Sequence, residues 1–338
     1  MLVSIIMPVY NQEAYLAASL DAVLGQSFKN IEVLAINDGS TDKSLSILLK
    51  ASKYDSRIKI VNQKNQGLLM ANVNGIKHAT GDYTCFFDPD DQIGPDFISN
   101  FIDELDQNYD FIALGVHILS DNSDNPFMLA EDKIFDKSEL FKKADTFILD
   151  KHLALDKTFY VARWNKLYKT ACLKNFVKEY ASYKDVSIGE DSLFTFLLLC
   201  NSSKAKSCKK INSYYYIQHD NSMTHSLDYS SILKKNNITF DEFSSLLLLY
   251  KKSLVIAYHL YYAELSGALS HLIDKDYSLG REFYRSLLKN DRYVKALQLV
   301  CEYSNYKNMN ALLQRHQCHP LMYAGARRMH KRIKKFMS

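Results

Sequence analysis

The chain has 338 residues, 47% of them hydrophobic and 24% charged, with only 5 Pro and 11 Gly. That composition belongs to a globular protein long enough for two domains, and it excludes collagen-like, linker-rich and broadly disordered readings. The net charge of +4 is unevenly spread: residues 303–338 hold eight Lys/Arg and no Asp/Glu, so the other 302 residues carry 34 basic and 38 acidic groups. The six cysteines are scattered and form no C-x-x-C pair, which predicts neither a zinc knuckle nor a disulfide framework. No charged segment followed by an apolar one precedes the first strand, and the reading is of a cytoplasmic protein. The most apolar later stretch, residues 253–272, contains His259, Glu264 and His271 and follows Lys251-Lys252. It suits a buried or amphipathic helix better than a membrane span, which needs about 20 nearly uncharged residues.

The first ninety residues alternate strand and helix signals. Residues 2–7 form a short apolar run ended by Pro8, as in a strand buried on both faces. Residues 13–24 put Leu16, Leu20, Val23 and Leu24 on one helical face. A second strand over 31–36 runs into Asn37-Asp38-Gly39-Ser40, a turn cluster, and a helix follows carrying Leu45, Leu48 and Leu49. A third strand over 57–61, a third helix over 67–79 and a fourth strand over 83–87 lead into Asp88-Pro89-Asp90-Asp91. This alternation predicts an open, mostly parallel α/β sheet. Further on the pattern predicts strands over 111–119, 159–168 and 213–217, an irregular stretch with some helix over 122–157, and a helix over 191–200. Residues 230–313 read as helical, with a domain boundary near 222–232.

Polar residues fall directly after the strands: Tyr10 and Asn11, Asp38, then Asp88, Asp90 and Asp91. In open α/β sheets ligands bind at the carboxyl ends of the strands, so hydrogen-bonding groups gather where a ligand belongs. Asp38 is also a good turn residue, and the two readings stand side by side. Three carboxylates within four residues repel one another, and a hard divalent cation with diphosphate oxygens would satisfy them; the plain alternative is an acidic helix N-terminus before Pro95.

The segments Val3-Ser4-Ile5-Ile6-Met7-Pro8-Val9-Tyr10-Asn11 with Glu13, Ile36-Asn37-Asp38-Gly39-Ser40-Thr41-Asp42 and Asp88-Pro89-Asp90-Asp91 closely resemble family 2 glycosyltransferases of the GT-A fold. The resemblance continues through Trp164-Asn165-Lys166-Leu167-Tyr168, Gly189-Glu190-Asp191, Tyr215-Tyr216 and Asn221-Ser222-Met223-Thr224, in the manner of the bacterial capsule and lipooligosaccharide branch. It implies a Rossmann-like, mostly parallel central sheet flanked by helices. The transferase domain would span residues 1–225 (nucleotide half 1–110, acceptor half 111–225), with a helical domain over 226–338.

The resemblance also implies roles. Pro8, Val9, Tyr10, Asn11, Glu13, Gly67 and Asp88 would line the nucleotide. Asp38 would accept the uracil N3–H, a contact that the acceptor N3 of cytosine cannot make. Asp90 would be a direct ligand of Mn²⁺ or Mg²⁺, with Asp88 in the metal shell and His219 a further candidate. Asp191 would be the general base of an inverting transfer; on residue type alone, without the resemblance, the favoured reading is an N-cap for the helix after it. Asp91, Trp164, Lys166 and Glu190 would approach the donor or acceptor sugar, although Trp164 also suits the core and Lys166 a surface ion pair.

Two departures stand out. Asn72 and Val73 occupy places where the family often carries Arg and Asn, and Ile217-Gln218-His219 replaces a common Tyr-x-Arg. The implied partners are a UDP-sugar and a glycan or glycolipid acceptor, with a homo-oligomer left open. Met322, Ala326, Met329, Ile333 and Phe336 recur as one apolar helical stripe among Arg327, Arg328, Lys331, Arg332, Lys334 and Lys335. Such a helix suits an anionic membrane surface at the inner face of the cell membrane, or docking on the helical domain; nothing upstream resembles a nucleic-acid recognition motif. A non-catalytic module that only holds a sugar nucleotide or a partner is the competing function.

Overall fold

A computed structural model describes residues 1–106, 108–120, 123–148, 159, 161–217 and 228–303. The described residues of 1–147 and 159–217 form one compact unit, and residues 228–303 belong to a second. The first opens with β1 (Val3–Val9), α1 (Leu16–Leu24), β2 (Ile31–Asp38), α2 (Ser44–Tyr54), β3 (Ile58–Gln63), α3 (Leu68–His78) and β4 (Tyr83–Phe86). β1 lies between β2 and β4, β3 flanks β2, and all these pairings are parallel. Every residue of β1 and β2 is buried. Val3, Ile5, Met7 and Val9 share a core with Leu16, Leu20 and Val23 of α1, while Ile6 on the opposite face meets Gly75 of α3. Burial on both faces explains why these strands read as nearly continuous apolar runs.

Two polar residues interrupt those runs. Ser4 Oγ donates to Glu32 Oε1 (2.5 Å), and Glu32 also accepts from Thr80, Gly81 and Lys59 Nζ (2.6 Å). Burial alone would raise the Glu32 carboxyl, but Lys59, Ser4 and Thr80 outweigh it and hold the group down to about 2.

The second half of the sheet is mixed. β5 (Gln92–Ile93), α4 (Phe97–Ile102), β6 (Phe111–Ser120), β7 (Ser123–Phe127), β8 (Lys133–Asp136), α5 (Lys137–Lys143), β9 (Lys166–Lys169), α6 (Thr170–Ser182), α7 (Glu190–Asn201) and β10 (Lys204–Ile217) follow. The strand order is β3-β2-β1-β4-β9-β6-β10-β5, with β7 on β6 and β8 on β10. β9 is antiparallel to both β4 and β6, whereas β10 runs parallel to β6 with register shifts between Cys208 and Tyr215.

Several expectations change here. The strand expected over 159–168 is only β9, because Lys166 and Asn165 use their side chains to close the loop before it. The stretch expected to be irregular with some helix also builds two strands, β7 and β8, and its helix α5 is started by a capping box between Asp136 and Glu139. The strand expected over 213–217 begins at Lys204. The first helix starts at Leu16 rather than residue 13, since Glu13 Oε2 accepts from the backbone of Lys43 (2.9 Å) and ties two loops together.

The second unit consists, in its described residues, of α8 (Tyr229–Leu249), α9 (Val255–Lys275), α10 (Tyr277–Leu287) and α11 (Asp291–Tyr303). Ile232, Asn236, Thr239, Phe243, Leu246 and Leu247 form the buried stripe of α8. Asp228 and Asp276 cap α8 and α10. Arg292 joins α11 to α8 by pairing with Asp241 (2.8 Å) and lying over the Phe240 ring (4.3 Å). Among the described residues no helix is long and apolar enough to cross a membrane.

Candidate active site

The parallel registers set Val9 opposite Asn37, Asp38 opposite Gln63, and Ile6 opposite Phe86, so the polar residues after these strands share one edge of the sheet. Pro8 and Val9 are buried within β1, whereas Tyr10 emerges 47% exposed. Asn11 adopts φ 53°, and its Oδ1 accepts from the Thr41 backbone (2.8 Å). Asparagine tolerates this left-handed conformation better than most residues.

Asp38 is buried, yet three donors converge on it. Gln63 Nε2 (2.7 Å) and the Gln66 N–H (2.8 Å) donate to Oδ1, and the Gly67 N–H (2.9 Å) donates to Oδ2. An ionised carboxylate offers about four acceptor positions, so one on Oδ2 remains for an incoming N–H. Gln63 and Gln66 went unnoticed in the sequence, where nothing marks them as partners of a residue some 25 positions away.

The acidic turn after β4 is pinned from several sides. Ser19 Oγ donates to the Pro89 carbonyl (2.5 Å) and the Asp91 N–H to the Asp88 carbonyl (3.0 Å). Asp91 Oδ2 accepts from Tyr214 Oη (2.5 Å) and Oδ1 from the Ile217 N–H (2.8 Å). Burial and the nearby Asp88 push the Asp91 carboxyl up to about 8. Both Asp91 oxygens are thus engaged by β10. The expected sugar contact there gives way to an anchor that fixes where Asp88 and Asp90 stand. Burial pushes Asp88 up to about 7, with Asp90, Asp191 and Glu190 adding to the rise and Arg163 opposing it.

Asp191 lies in the first turn of α7, but the N-cap is Gly189 with no side-chain cap, so the capping alternative fails. Its carboxylate pairs instead with the Arg163 guanidinium, which is 4% exposed and also 3.5 Å from Glu190. Burial disfavours the Arg163 charge, but Asp191, then Tyr180, Glu190 and Asp88, more than restore it. Glu190 is raised by burial and by the adjacent Asp191. Arg163 is the residue that sequence reading missed. Its one signal was a lone basic residue directly before the Trp164-Asn165-Lys166 motif.

Trp164 and Lys166 prove to be core positions. Trp164 is 6% exposed and stacked against Tyr214 (centroids 4.7 Å, 5° between planes) and Tyr216 (5.4 Å, 13°). Lys166 is wholly buried, and its Nζ donates to the Ala162 carbonyl (2.6 Å) and Asn165 Oδ1 (2.7 Å). Burial brings its ammonium down to about 7. Neither side chain reaches out toward a sugar: Trp164 is stacked on two tyrosines of β10, and the partners of Lys166 lie inside the loop that presents Arg163. Tyr216 is raised to about 12, by burial first and then by Asp91, Asp88, Asp90 and Asp191 together. His219, Asn221-Ser222-Met223-Thr224 and the basic tail lie outside the described residues.

Among the described residues no three His, Cys, Asp or Glu side chains are grouped to hold a metal by themselves. Asp88 and Asp90 nevertheless fit a hard divalent cation that keeps other oxygen ligands, since both are oxygen donors and stand in a pinned turn where acidic groups outnumber the one neighbouring guanidinium. A cavity of about 630 Å³ lined by Met1, Thr80, Asp82, Lys169, Thr170 and Lys174 lies at the opposite, N-terminal ends of β1 and β4 and shares no residue with this cluster.

A parallel nucleotide-type half ending in Asp38 and Asp88–Asp91, joined to a mixed half that brings up Asp191, is the GT-A architecture. The family model for glycosyl transferase family 2 matches residues 4–175, and the chain belongs to that family. It is 34% identical over 173 residues to the glycosyltransferase GlyA of Streptococcus pneumoniae, covering 49% of this chain and 24% of GlyA. It is 30% identical over 228 residues to the uncharacterized glycosyltransferase EpsJ of Bacillus subtilis, covering 66% and 63%. Over 325 residues it is 25% identical to the minor teichoic acid biosynthesis protein GgaB of the same organism, covering 92% of this chain and 33% of GgaB. The chain therefore spans less than two thirds of each of these curated relatives. Its fold is similar to the crystal structure of S. aureus TarS 1-349 in complex with UDP-GlcNAc, with TM-score 0.57, 19% identity, and 90% and 82% of the two chains covered.

Proposed function

We propose that this chain transfers a hexose or N-acetylhexosamine from a UDP-sugar to a hydroxyl of a lipid-linked surface glycan, with inversion at the anomeric carbon. One observation carries the reading: the buried Arg163 pairs with both Glu190 and Asp191 of α7 and is, with them and Asp90, a charge that acts on Asp88, so the acidic turn and the Glu-Asp pair from a distant helix act on one place. A scaffold that merely bound a nucleotide would not need that pair. Support also comes from the family and from a structural neighbour that was crystallised with UDP-GlcNAc. The name of GgaB, a teichoic acid biosynthesis protein, favours a surface-polymer acceptor.

Asp38 selects uracil through its remaining acceptor position, held in place by Gln63, Gln66 and Gly67. Asp90 and Asp88 would hold Mn²⁺ or Mg²⁺, and the cation when bound neutralises the diphosphate leaving group. Asp191 takes the proton of the acceptor hydroxyl as it attacks the anomeric carbon. Arg163 pairs with that carboxylate and orients it amid three other acids. A single base and one direct displacement give inversion.

Residues 1–225 would carry this chemistry, and 226–338 would form a helical domain whose basic tail holds the enzyme at the inner face of the cell membrane. Purified protein presented with a panel of UDP-sugars, with and without Mn²⁺, tests the reading. Slow, Mn²⁺-dependent UDP release from at least one donor is expected; no release from any donor, with UDP still bound, would favour the non-catalytic module.

A further inference from the structure

β10 ends in an aromatic ladder that opens toward the acidic turn. Tyr214 and Tyr216 lie on one face of the strand, and Trp164 stacks on both rings. Tyr214 is wholly buried and gives its hydroxyl to Asp91 (2.5 Å). Tyr216 is only half-buried and stands two residues, about 7 Å, further toward the strand end. β10 runs parallel to β6, which is antiparallel to β9, itself antiparallel to β4. The end of β10 therefore shares the sheet edge where β4 runs into Asp88. Tyr214 and the Ile217 N–H (2.8 Å) clamp the strand to Asp91 on either side of Tyr216. Asp91, Asp88, Asp90 and Asp191 all act on the Tyr216 phenol, which keeps its proton at neutral pH and so remains a hydrogen-bond donor.

In a direct displacement the transferred sugar lies between its diphosphate leaving group, at Asp88 and Asp90, and the attacking hydroxyl, at Asp191. A donor set among all three acids faces the sugar itself. We propose that Tyr216 is a substrate-contacting residue whose hydroxyl donates a hydrogen bond to an oxygen of the transferred sugar, with Trp164 behind its ring to hold the hydroxyl in place. This contact rests on the transferase reading above. It supplies from β10 the sugar contact that Asp91, Trp164 and Lys166, all committed to the fold, do not.

Titration calorimetry in Mn²⁺ with UDP, UDP-hexoses and UDP-N-acetylhexosamines compares full-length wild type with Tyr216→Phe, which keeps the stack and loses the hydroxyl. Affinity for the preferred UDP-sugar should fall by about two- to tenfold, the range of one neutral hydrogen bond, with UDP affinity and melting temperature unchanged. Tyr215→Phe is the control. Tyr215 points to the other face of β10, stacked on His117 (4.7 Å), and its loss of a hydroxyl should leave both affinities at wild-type values. A Tyr216→Phe protein that binds the UDP-sugar like wild type, or that loses UDP affinity to the same degree, overturns the proposal. So does an equal loss in the two variants. A lowered melting temperature with sugar affinity intact overturns it too, because the hydroxyl then serves the chain's own hydrogen bonding. If wild type binds a UDP-sugar but releases no UDP from it, the transferase reading fails while the affinity comparison still decides the role of Tyr216; if wild type binds no UDP-sugar, both fall.

Discussion

At the scale of single residues, the site turns on how charges are housed. Asp191 is not a cap, so Asp191→Asn removes a proton acceptor without removing a helix start. Donor turnover should fall by roughly 10²–10⁴-fold, the range for general acid–base catalysis, while calorimetry finds UDP affinity nearly unchanged. Arg163→Met should behave differently. It strands Asp191 and Glu190 beside a buried apolar side chain, and breaking a buried ion pair from one side costs about 3–5 kcal/mol, readable as a lowered urea midpoint. Glu32 gives a pH signature far from the chemistry. Its carboxyl is held at about 2 against an ordinary value of 4.5, so the stability it contributes is present above pH 4.5 and is lost as pH falls toward 2. Glu32→Gln should therefore melt lower than wild type at neutral pH, and the gap should close across that window.

At the scale of elements, each functional side chain depends on a loop that another loop holds. Gly39 sits at φ +70°, and a Cβ there would stand 2.7 Å from the backbone nitrogen of Asn65. Asn65 begins the turn whose Gln66 and Gly67 N–H groups hold Asp38. Gly39→Ala should cost about 1–2 kcal/mol for the left-handed conformation, and should weaken UDP binding measured by calorimetry with the overall fold retained. The parallel strands and helices of the first ninety residues were legible because burial on both faces leaves a nearly continuous apolar run between turn clusters. β9, α6 and the hairpin of β6 with β7 were not. Their pairings are antiparallel or short, and Thr170, which opens α6, answers to Thr84, 86 positions away.

At the scale of the whole molecule, the acids of the candidate site could be read from the family resemblance, but their support could not. The sequence marks Asp38, Asp88, Asp90 and Asp191 and is silent on Gln63, Gln66, Arg163 and Tyr214, which hold three of those regions in place. Each supporting contact joins residues roughly 25 or more positions apart, and periodicity carries no information over such a distance. Trp164 and Lys166 show the converse: motif residues with a polar or stacking character that the fold spends on its own core. The central claim is that the strand-end acids form one metal-assisted UDP site. Titration calorimetry of UDP into wild type and Asp90→Ala, in Mn²⁺ and in chelator, tests it most directly. Tight binding by wild type in Mn²⁺ alone, lost in Asp90→Ala and not reproduced by CDP, is the expected result; equal affinity for UDP in both proteins and in chelator would contradict it.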